Sequence, residues 1–472
     1  MRGKVVFCVL RGAPRVNWSW ILLRSGIGVS IAGLLFLSQR FWYRAIWRVT
    51  ANWGSQALRV AARIVYVTLL LLIILATADS FRSRGSLLPR ASLISVFAGL
   101  WFFSALFAYL AVKVVRGIDR VWAWLHAAHQ LKKSPANAQT AAASPAQGAA
   151  PSAAAAELVS NPSRRYFFKT ATALAGAGPF LTAVYGFAEE RLAYQVRRVD
   201  VPLPNLPGAL DGMKIVQISD IHLSSYMPRT QVRRAVEMAN DLGADLALAT
   251  GDFITGAGDP IADCIDEVRR LRAPLGVWGC NGNHEIYARA EDTAQYLFAQ
   301  AGMKLLRSES AQIDFNGASF NLIGVDYQRE RTPRGRRIAM LPNVDKLLRR
   351  DMPNILLSHN PNAFNRAAEL GIELTLAGHT HGGQIQVEIL DHRLSPARFI
   401  TDYVAGLYQR PMFAPAPNDR ASAGSVFETS HGSLFPNKPM ASIYVNRGLG
   451  TVGAPVRLGV PPEITLLTLR RA

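Results

Sequence analysis

Two kinds of hydrophobic pattern divide the chain. Up to residue 188 the apolar positions come as long runs, at 18–38, 64–78 (IVYVTLLLLIILATA) and 92–115, followed by a weaker Ala- and Gly-rich stretch at 170–188. A bilayer core takes about 20 mostly apolar residues per helix. Helices of a soluble bundle rarely carry apolar residues on every face, so these runs predict transmembrane helices. The first run is interrupted by Arg24, which leaves the expected number of crossings at three or four. Beyond Val201 the runs shorten. β-type segments at 214–219, 245–250, 276–279, 320–325, 354–357, 373–377, 442–445 and 464–469 alternate with amphipathic stretches such as 230–241. That alternation predicts a layered α/β domain.

Charge sharpens the division. The chain has 52 Lys and Arg against 33 Asp and Glu, a net +19. Residues 1–160 hold 18 basic residues against Asp79, Asp119 and Glu157, a net +15, which leaves only +4 for residues 161–472. The downstream part therefore lacks the basic field that nucleic acid requires. Arg40, Arg44, Arg48, Arg59 and Arg63 crowd the first connection, and Arg116, Arg120, Lys132 and Lys133 follow the third run. Such clusters mark cytoplasmic loops. Cys8, Cys264 and Cys280 form no disulfide framework and have no zinc spacing.

Between the halves, residues 134–156 are Ala, Pro, Ser, Gln and Gly with no charge, a linker composition. Next comes Ser163-Arg164-Arg165-Tyr166-Phe167-Phe168-Lys169 ahead of the mild apolar stretch. The segment resembles a twin-arginine export signal, which implies the twin-arginine translocase as a partner. The competing reading is an Arg pair at the inner end of an ordinary fourth helix. Both place the linker inside and the chain after Glu190 outside. Four crossings would also put the N-terminus outside, against the preference of Arg2, Lys4, Arg11 and Arg15. The expected organisation is a multi-pass region at 1–130, a linker at 131–160, the Arg motif and anchor helix at 161–190, and a catalytic domain at 200–472.

Five motifs carry the chemistry, each just past an apolar run. Asp220-Ile221-His222 can chelate one cation from a tight loop. Gly251-Asp252 follows the second strand. Gly282-Asn283-His284-Glu285 pairs an amide oxygen with an imidazole left for proton transfer. Ser358-His359 follows another strand, and Gly378-His379-Thr380-His381-Gly382-Gly383 offers two imidazoles between glycines that let the backbone pass close to a metal. Five of the seven histidines after residue 160 lie in these motifs, so the sheet would present them along one edge.

The set resembles the calcineurin-like metallophosphoesterase superfamily over residues 200–470, and within it the bacterial branch exported with a twin-arginine signal. Residues 374–384 and Asn446-Arg447-Gly448-Leu449-Gly450 add to the likeness. The resemblance implies an α/β fold, a four-layer double β-sheet sandwich flanked by helices, with two divalent metal ions. Asp220, His222, Asp252 and His381 would bind the first. Asp252, as the bridge, would join Asn283, His359 and His379 on the second. The donor mix admits Mn, Fe or Zn. Two dications about 3.5–4 Å apart need a shared carboxylate, and the hydroxide they generate would attack phosphorus. His284, not a ligand, would stabilise developing charge or protonate the leaving oxygen. Family members often have an Asp three residues after the bridging Asp to orient that histidine. Here Thr255 stands there, and Asp259 or Glu285 are the substitutes the sequence offers.

The expectation is a phosphoesterase anchored in a bacterial inner membrane, its catalytic domain periplasmic and its substrate a phosphate ester of the envelope, lipid-linked among the options. Two rivals remain: a cytoplasm-facing phosphodiesterase of a nucleotide-linked lipid precursor, and a receptor with a relic site. The run from Arg329 to Arg337 (RERTPRGRR) reads as a solvated loop or as a rim for anionic headgroups.

Overall fold

A computed structural model describes residues 18–80, 93–133, 162–224, 226–330, 332, 336, 338–389, 392–413, 427–428 and 439–472. The chain forms two compact units, a helical one of residues 33–190 with 453–458, and an α/β one of 191–452 and 459–472, with which the described residues 18–32 are grouped. Of the stretch expected as a linker, residues 134–160 lie outside the described residues, as does Cys8, while 131–133 are helical.

Apart from a turn at 52–55, the first part of the chain is helical in its described residues: α1 (Trp18–Ala51), α2 (Gln56–Ser80), α3 (Leu93–Lys133) and α4 (Pro162–Ala188). Three spans are long and apolar enough to cross a membrane, Gln56–Leu75, Leu100–His126 and Pro162–Leu192. α1, which bears Arg24, gives none among the described residues. Leu69, Leu71 and Leu75 on α2, Phe103, Phe107 and Val114 on α3, and Leu174, Leu181 and Val184 on α4 all face outward. In water such apolar area would be a liability; in lipid it costs nothing. Two indole N–H groups inside the bundle are paired. Trp42 Nε1–H donates to the Ala105 carbonyl and Trp101 Nε1–H to Gln39 Oε1, each at 2.9 Å, while Phe180 packs on both indoles at 5.5 Å.

The α/β unit has two mixed sheets. The first orders its strands β1 (Gln195–Leu203), β15 (Glu463–Arg471), β2 (Lys214–Ile218), β3 (Leu246–Thr250), β4 (Val277–Cys280) and β5 (Lys304–Leu305). The second runs β13 (Phe427–Glu428), β12 (Gly406–Pro411), β14 (Met440–Val445), β9 (Leu374–Ala377), β8 (Asn354–Ser358), β7 (Ala318–Val325) and β6 (Glu309–Phe315). A short hairpin, β10 (Val387–Ile389) with β11 (His392–Leu394), stands apart. Side chains alternate faces along each strand, and the cores follow that rule. Ile215, Leu246, Leu248, Leu322, Ile355, Leu357, Leu374 and Leu376 meet between the sheets. Their neighbours Val216, Ile218, Ala247 and Ala249 pack outward with α5 (Arg229–Asn240), α6 (Ile261–Val268) and α8 (Glu291–Gln300). On the other side Ile323, Val325 and Leu356 meet α9 (Phe364–Glu369) through Ala367. The result is helices, sheet, sheet, helices: the four layers expected.

Candidate metal centre

β2, β3 and β4 run parallel in the first sheet, as do β8 and β9 in the second. Their carboxyl ends are where an α/β fold collects ligand-binding loops. Asp220 and His222 follow β2, Asp252 follows β3, and Asn283 and His284 open α7 (Asn283–Ala288) just after β4. His359 follows β8, and His379 and His381 follow β9. Gln217 ties the two sheets under the site, its Nε2–H donating to Thr250 Oγ1 (2.9 Å) and to the Ala377 carbonyl (3.0 Å).

The loops are sharply bent. Asp220, His222, Asp252, His379 and His381 have φ of 47°, 50°, 54°, 75° and 51°. Five of the thirteen non-glycine residues with positive φ among the described residues thus fall in one place, as strained backbone does at functional sites. Two glycines make the close approach possible: a Cβ on Gly282 would collide with Asp252 Oδ1, and one on Gly378 with Ser219 Oγ and Asp220 Oδ2. The late Asn446–Gly450 motif acts as a staple. Leu449 N–H donates to the Ser219 carbonyl (3.0 Å) and Gly450 N–H to the Asp220 carbonyl (2.7 Å), while Gly448 N–H donates to Asn446 Oδ1 (2.7 Å).

The side chains converge. Asp252 Oδ2 lies 3.0 Å from His359 Nε2 and 3.5 Å from His222 Nε2. His381 Nε2 lies 3.3 Å from Asp220 Oδ1 and 3.2 Å from His222 Nε2. Donor atoms that could hold a cation fall into the sets Asp220, His222, His381 and Asp252, His359, His379. A further set, His222, Asp252 and His284, overlaps both the first and the second. Nδ1 of His222 is 3.1 Å from the Ile254 carbonyl and Nδ1 of His359 is 2.7 Å from the Thr250 carbonyl. A carbonyl only accepts, so each Nδ1 carries the hydrogen and each Nε2 is the ring nitrogen left to meet a cation at the centre. Asn283 Oδ1 is buried with no hydrogen-bond partner. A buried oxygen without a donor costs about 1–3 kcal/mol unless something positive meets it, and a hard cation is what this donor set fits.

Electrostatics point the same way. Burial, with Asp252 beside it, pushes Asp220 up to about 6 despite His359 and the hydrogen bonds from Ser219 and His379. Burial drives His222 down to about 3 and His379 down to about 4. Burial alone would raise Asp252, but His359 and His222 outweigh it and hold the carboxyl well below its usual range. His359 in turn rises to about 10, burial being overcome by Asp252 and Asp220. The site is thus organised around one carboxylate facing positive charge, and a cation entering takes the place of the His359 proton.

Position 255 settles differently from either expectation. His284 Nδ1–H donates to the Thr255 main-chain carbonyl at 2.5 Å, and its N–H donates to Asp252 Oδ1 at 2.9 Å. Asp259 Oδ2 accepts from the N–H groups of Thr255 (3.0 Å) and Gly256 (2.8 Å), so it shapes the loop and does not touch the imidazole. Glu285 is fully buried and accepts from the N–H groups of Asp252, Phe253, Ile254 and Gly282. Its sequence signal was the Gly-x-x-Glu spacing at a helix start, where a carboxylate reaches back to the first N–H.

Residues 213–383 match the family model described as Calcineurin-like phosphoesterase. The fold is that of a metallophosphoesterase. Relatives agree: a Bos taurus "Transmembrane protein with metallophosphoesterase domain" is 31% identical over 289 residues, 59% of this chain and 57% of that protein. The protein of the same name from Danio rerio is 28% identical, covering 61% of this chain and 60% of its own length. The chain thus spans less than two thirds of these two. The Bacillus subtilis metallophosphoesterase YkuE is 29% identical over 320 residues, 65% of this chain and 98% of its own. Family model and relatives together support a place in the calcineurin-like metallophosphoesterase superfamily.

Proposed function

We propose that the chain is a membrane-anchored dimetal phosphoesterase hydrolysing a phosphate ester of the bacterial cell envelope, with its α/β unit outside the inner membrane. The observation that carries the reading is Asp252, whose carboxylate reaches His222 of one donor set and His359 of the other. One acid shared between two sets is what a pair of dications requires. Asp220, His222, Asp252 and His381 would hold one ion, and Asp252, Asn283, His359 and His379 the other. When bound, the pair supplies Lewis acidity that makes a nucleophile of water and offsets charge on the phosphate oxygens.

The chain's own residues do the rest. Carbonyls of Ile254 and Thr250 fix the His222 and His359 rings, so their Nε2 lone pairs need no reorientation. His284 is held at Nδ1 by Thr255, which leaves Nε2 to pass a proton to the leaving oxygen. Asp220 accepts from Ser219 Oγ–H (2.5 Å) and from His379 N–H (3.0 Å), bonds that keep its carboxylate aimed.

Orientation rests on the base of α4. Arg164, Arg165 and Lys169 would sit at its cytoplasmic end, and no later span is long and apolar enough to return among the described residues. Arg164 is half-buried, donating to Asp119 Oδ1 (2.5 Å) and the Asp119 carbonyl (2.9 Å). That pair supports an anchor built into the bundle as the second reading beside a twin-arginine signal.

The test is metal analysis with turnover of bis(4-nitrophenyl) phosphate by protein loaded with Mn, Fe or Zn. Two equivalents of metal and hydrolysis are expected, both lost in Asp252→Ala. An Asp252→Ala protein that keeps two metals and normal turnover overturns the reading.

A further inference from the structure

Beside His284 stands a small wall of residues that the chemistry above does not use. Tyr287, one turn further along α7, places its ring 5.9 Å from the His284 ring and is half exposed. Tyr327 follows β7 and packs 6.3 Å from Tyr287, 5.3 Å from His379 and 6.3 Å from His359. Arg329 lays its guanidinium over the Tyr287 ring at 4.8 Å. Several arginines of this unit are spent on carboxylates, as Arg307 is on Asp292 and Asp326. Arg329 makes no ion pair among the described residues. A guanidinium stacked on a ring keeps its N–H edge open, in the flat geometry suited to a phosphate or carboxylate. Tyr327 meets Tyr287, the ring under Arg329, and also meets His379 and His359, so it links the stacked cation to the centre.

We propose that Tyr287, Tyr327 and Arg329 form a subsite for a second anionic group carried on the leaving-group side of the substrate. The assignment rests on the phosphoesterase reading, because it is His284, the residue that serves the leaving oxygen, that Tyr287 adjoins. The substrate class narrows accordingly to phosphate esters bearing a further phosphate or carboxylate beyond the scissile bond. Simple neutral alcohol esters are the poorer substrates.

The experiment uses the full-length, metal-loaded protein and two matched pairs of compounds. Methyl 4-carboxyphenyl phosphate and methyl 4-carbamoylphenyl phosphate differ in charge at nearly constant shape, and kcat/KM is compared between them. 4-Carboxybenzylphosphonate and 4-carbamoylbenzylphosphonate cannot be hydrolysed, and their Kd values are compared by calorimetry. A charge-assisted contact at a partly exposed site should favour the carboxylate about tenfold in both comparisons. The preference should fall to about one in Arg329→Ala, persist in part in Arg329→Lys and reverse in Arg329→Glu. High salt should shrink it. Equal Kd values for the two phosphonates on wild-type protein, or a carboxylate preference that survives in Arg329→Glu, overturns the subsite. Hydrolysis of both esters without discrimination leaves the phosphoesterase standing and the subsite refuted. Discrimination between the phosphonates with no hydrolysis of either ester does the reverse.

Discussion

Replacing Glu285 by Gln is expected to loosen the segment that carries Asp252. In the wild type Oε2 accepts from Asp252 N–H and Gly282 N–H, both at 2.9 Å, and Oε1 accepts from Phe253 N–H at 2.8 Å and Ile254 N–H at 3.3 Å. All four donors converge on a side chain with no exposure. An amide keeps one acceptor oxygen and turns its NH2 toward the other two donors. Each buried N–H left without an acceptor costs about 1–3 kcal/mol, so the pair should cost about 2–6 kcal/mol. Burial, with Asp252 nearby, pushes the Glu285 carboxyl up to about 7, so the comparison belongs at pH 8, where it is ionised. Hydrogen exchange reads those very amides. At about 1.4 kcal/mol per tenfold, even the low end of the range means exchange at residues 252–254 about 30-fold faster. Amides in β15 serve as the control for global unfolding. Exchange at 252–254 within threefold of wild type would refute the claim that Glu285 holds this segment.

His284→Ala should keep bound metal and lower kcat by roughly 100-fold or more, less for nitrophenyl esters whose leaving groups need little protonation; metal lost on this substitution would show a ligand instead. Arg233 and Arg229 hydrogen bonds hold the Glu267 carboxyl down at about 2 from an ordinary 4.5. A depressed carboxyl stabilises fully above about pH 4.5 and loses that contribution as pH falls toward 2. Glu267→Gln should therefore lower Tm at pH 7, by an amount equivalent to about 2 kcal/mol once screening at the part-exposed arginines is discounted, and a Tm gap that does not close between pH 4.5 and 2 would refute the cause. Replacing both Arg164 and Arg165 by Lys should leave an alkaline phosphatase fusion after Ala472 active if the pair only anchors topology, and should abolish the signal if the twin-arginine route carries the domain.

The central strands were legible because burial on both faces writes itself as continuous apolar runs: 214–219, 245–250 and 354–357 each lie within a residue or two of β2, β3 and β8. Edge strands were not. β1 carries Arg197, Arg198 and Asp200, and β6 carries Glu309, Gln312 and Asp314, so half their positions face water and the apolar signal halves. The helix expected at 230–241 runs Arg229–Asn240. The eight candidate residues stood out in the sequence because each is a polar residue stranded at the end of an apolar run, and the structure brings the acids and imidazoles among them together. Which atoms face which was not, since pairing across two sheets leaves no local trace.

Least visible of all is what positions the imidazoles. Nδ1 of His359, His222 and His284 is held by the carbonyls of Thr250, Ile254 and Thr255 in turn. One six-residue segment, reaching from the end of β3 through Asp252, thus sets the tautomers of three histidines delivered by three other strands. Main-chain carbonyls have no residue identity, so no motif can announce them, and Thr255 could replace an acid without the ring losing its acceptor. The same logic explains Glu285. A segment that must offer several carbonyls outward turns its N–H groups inward, and buried N–H groups need an acceptor. A single carboxylate reaching back from the start of α7 supplies it to three of them, so the geometry of the whole centre hangs on a residue outside every candidate donor set.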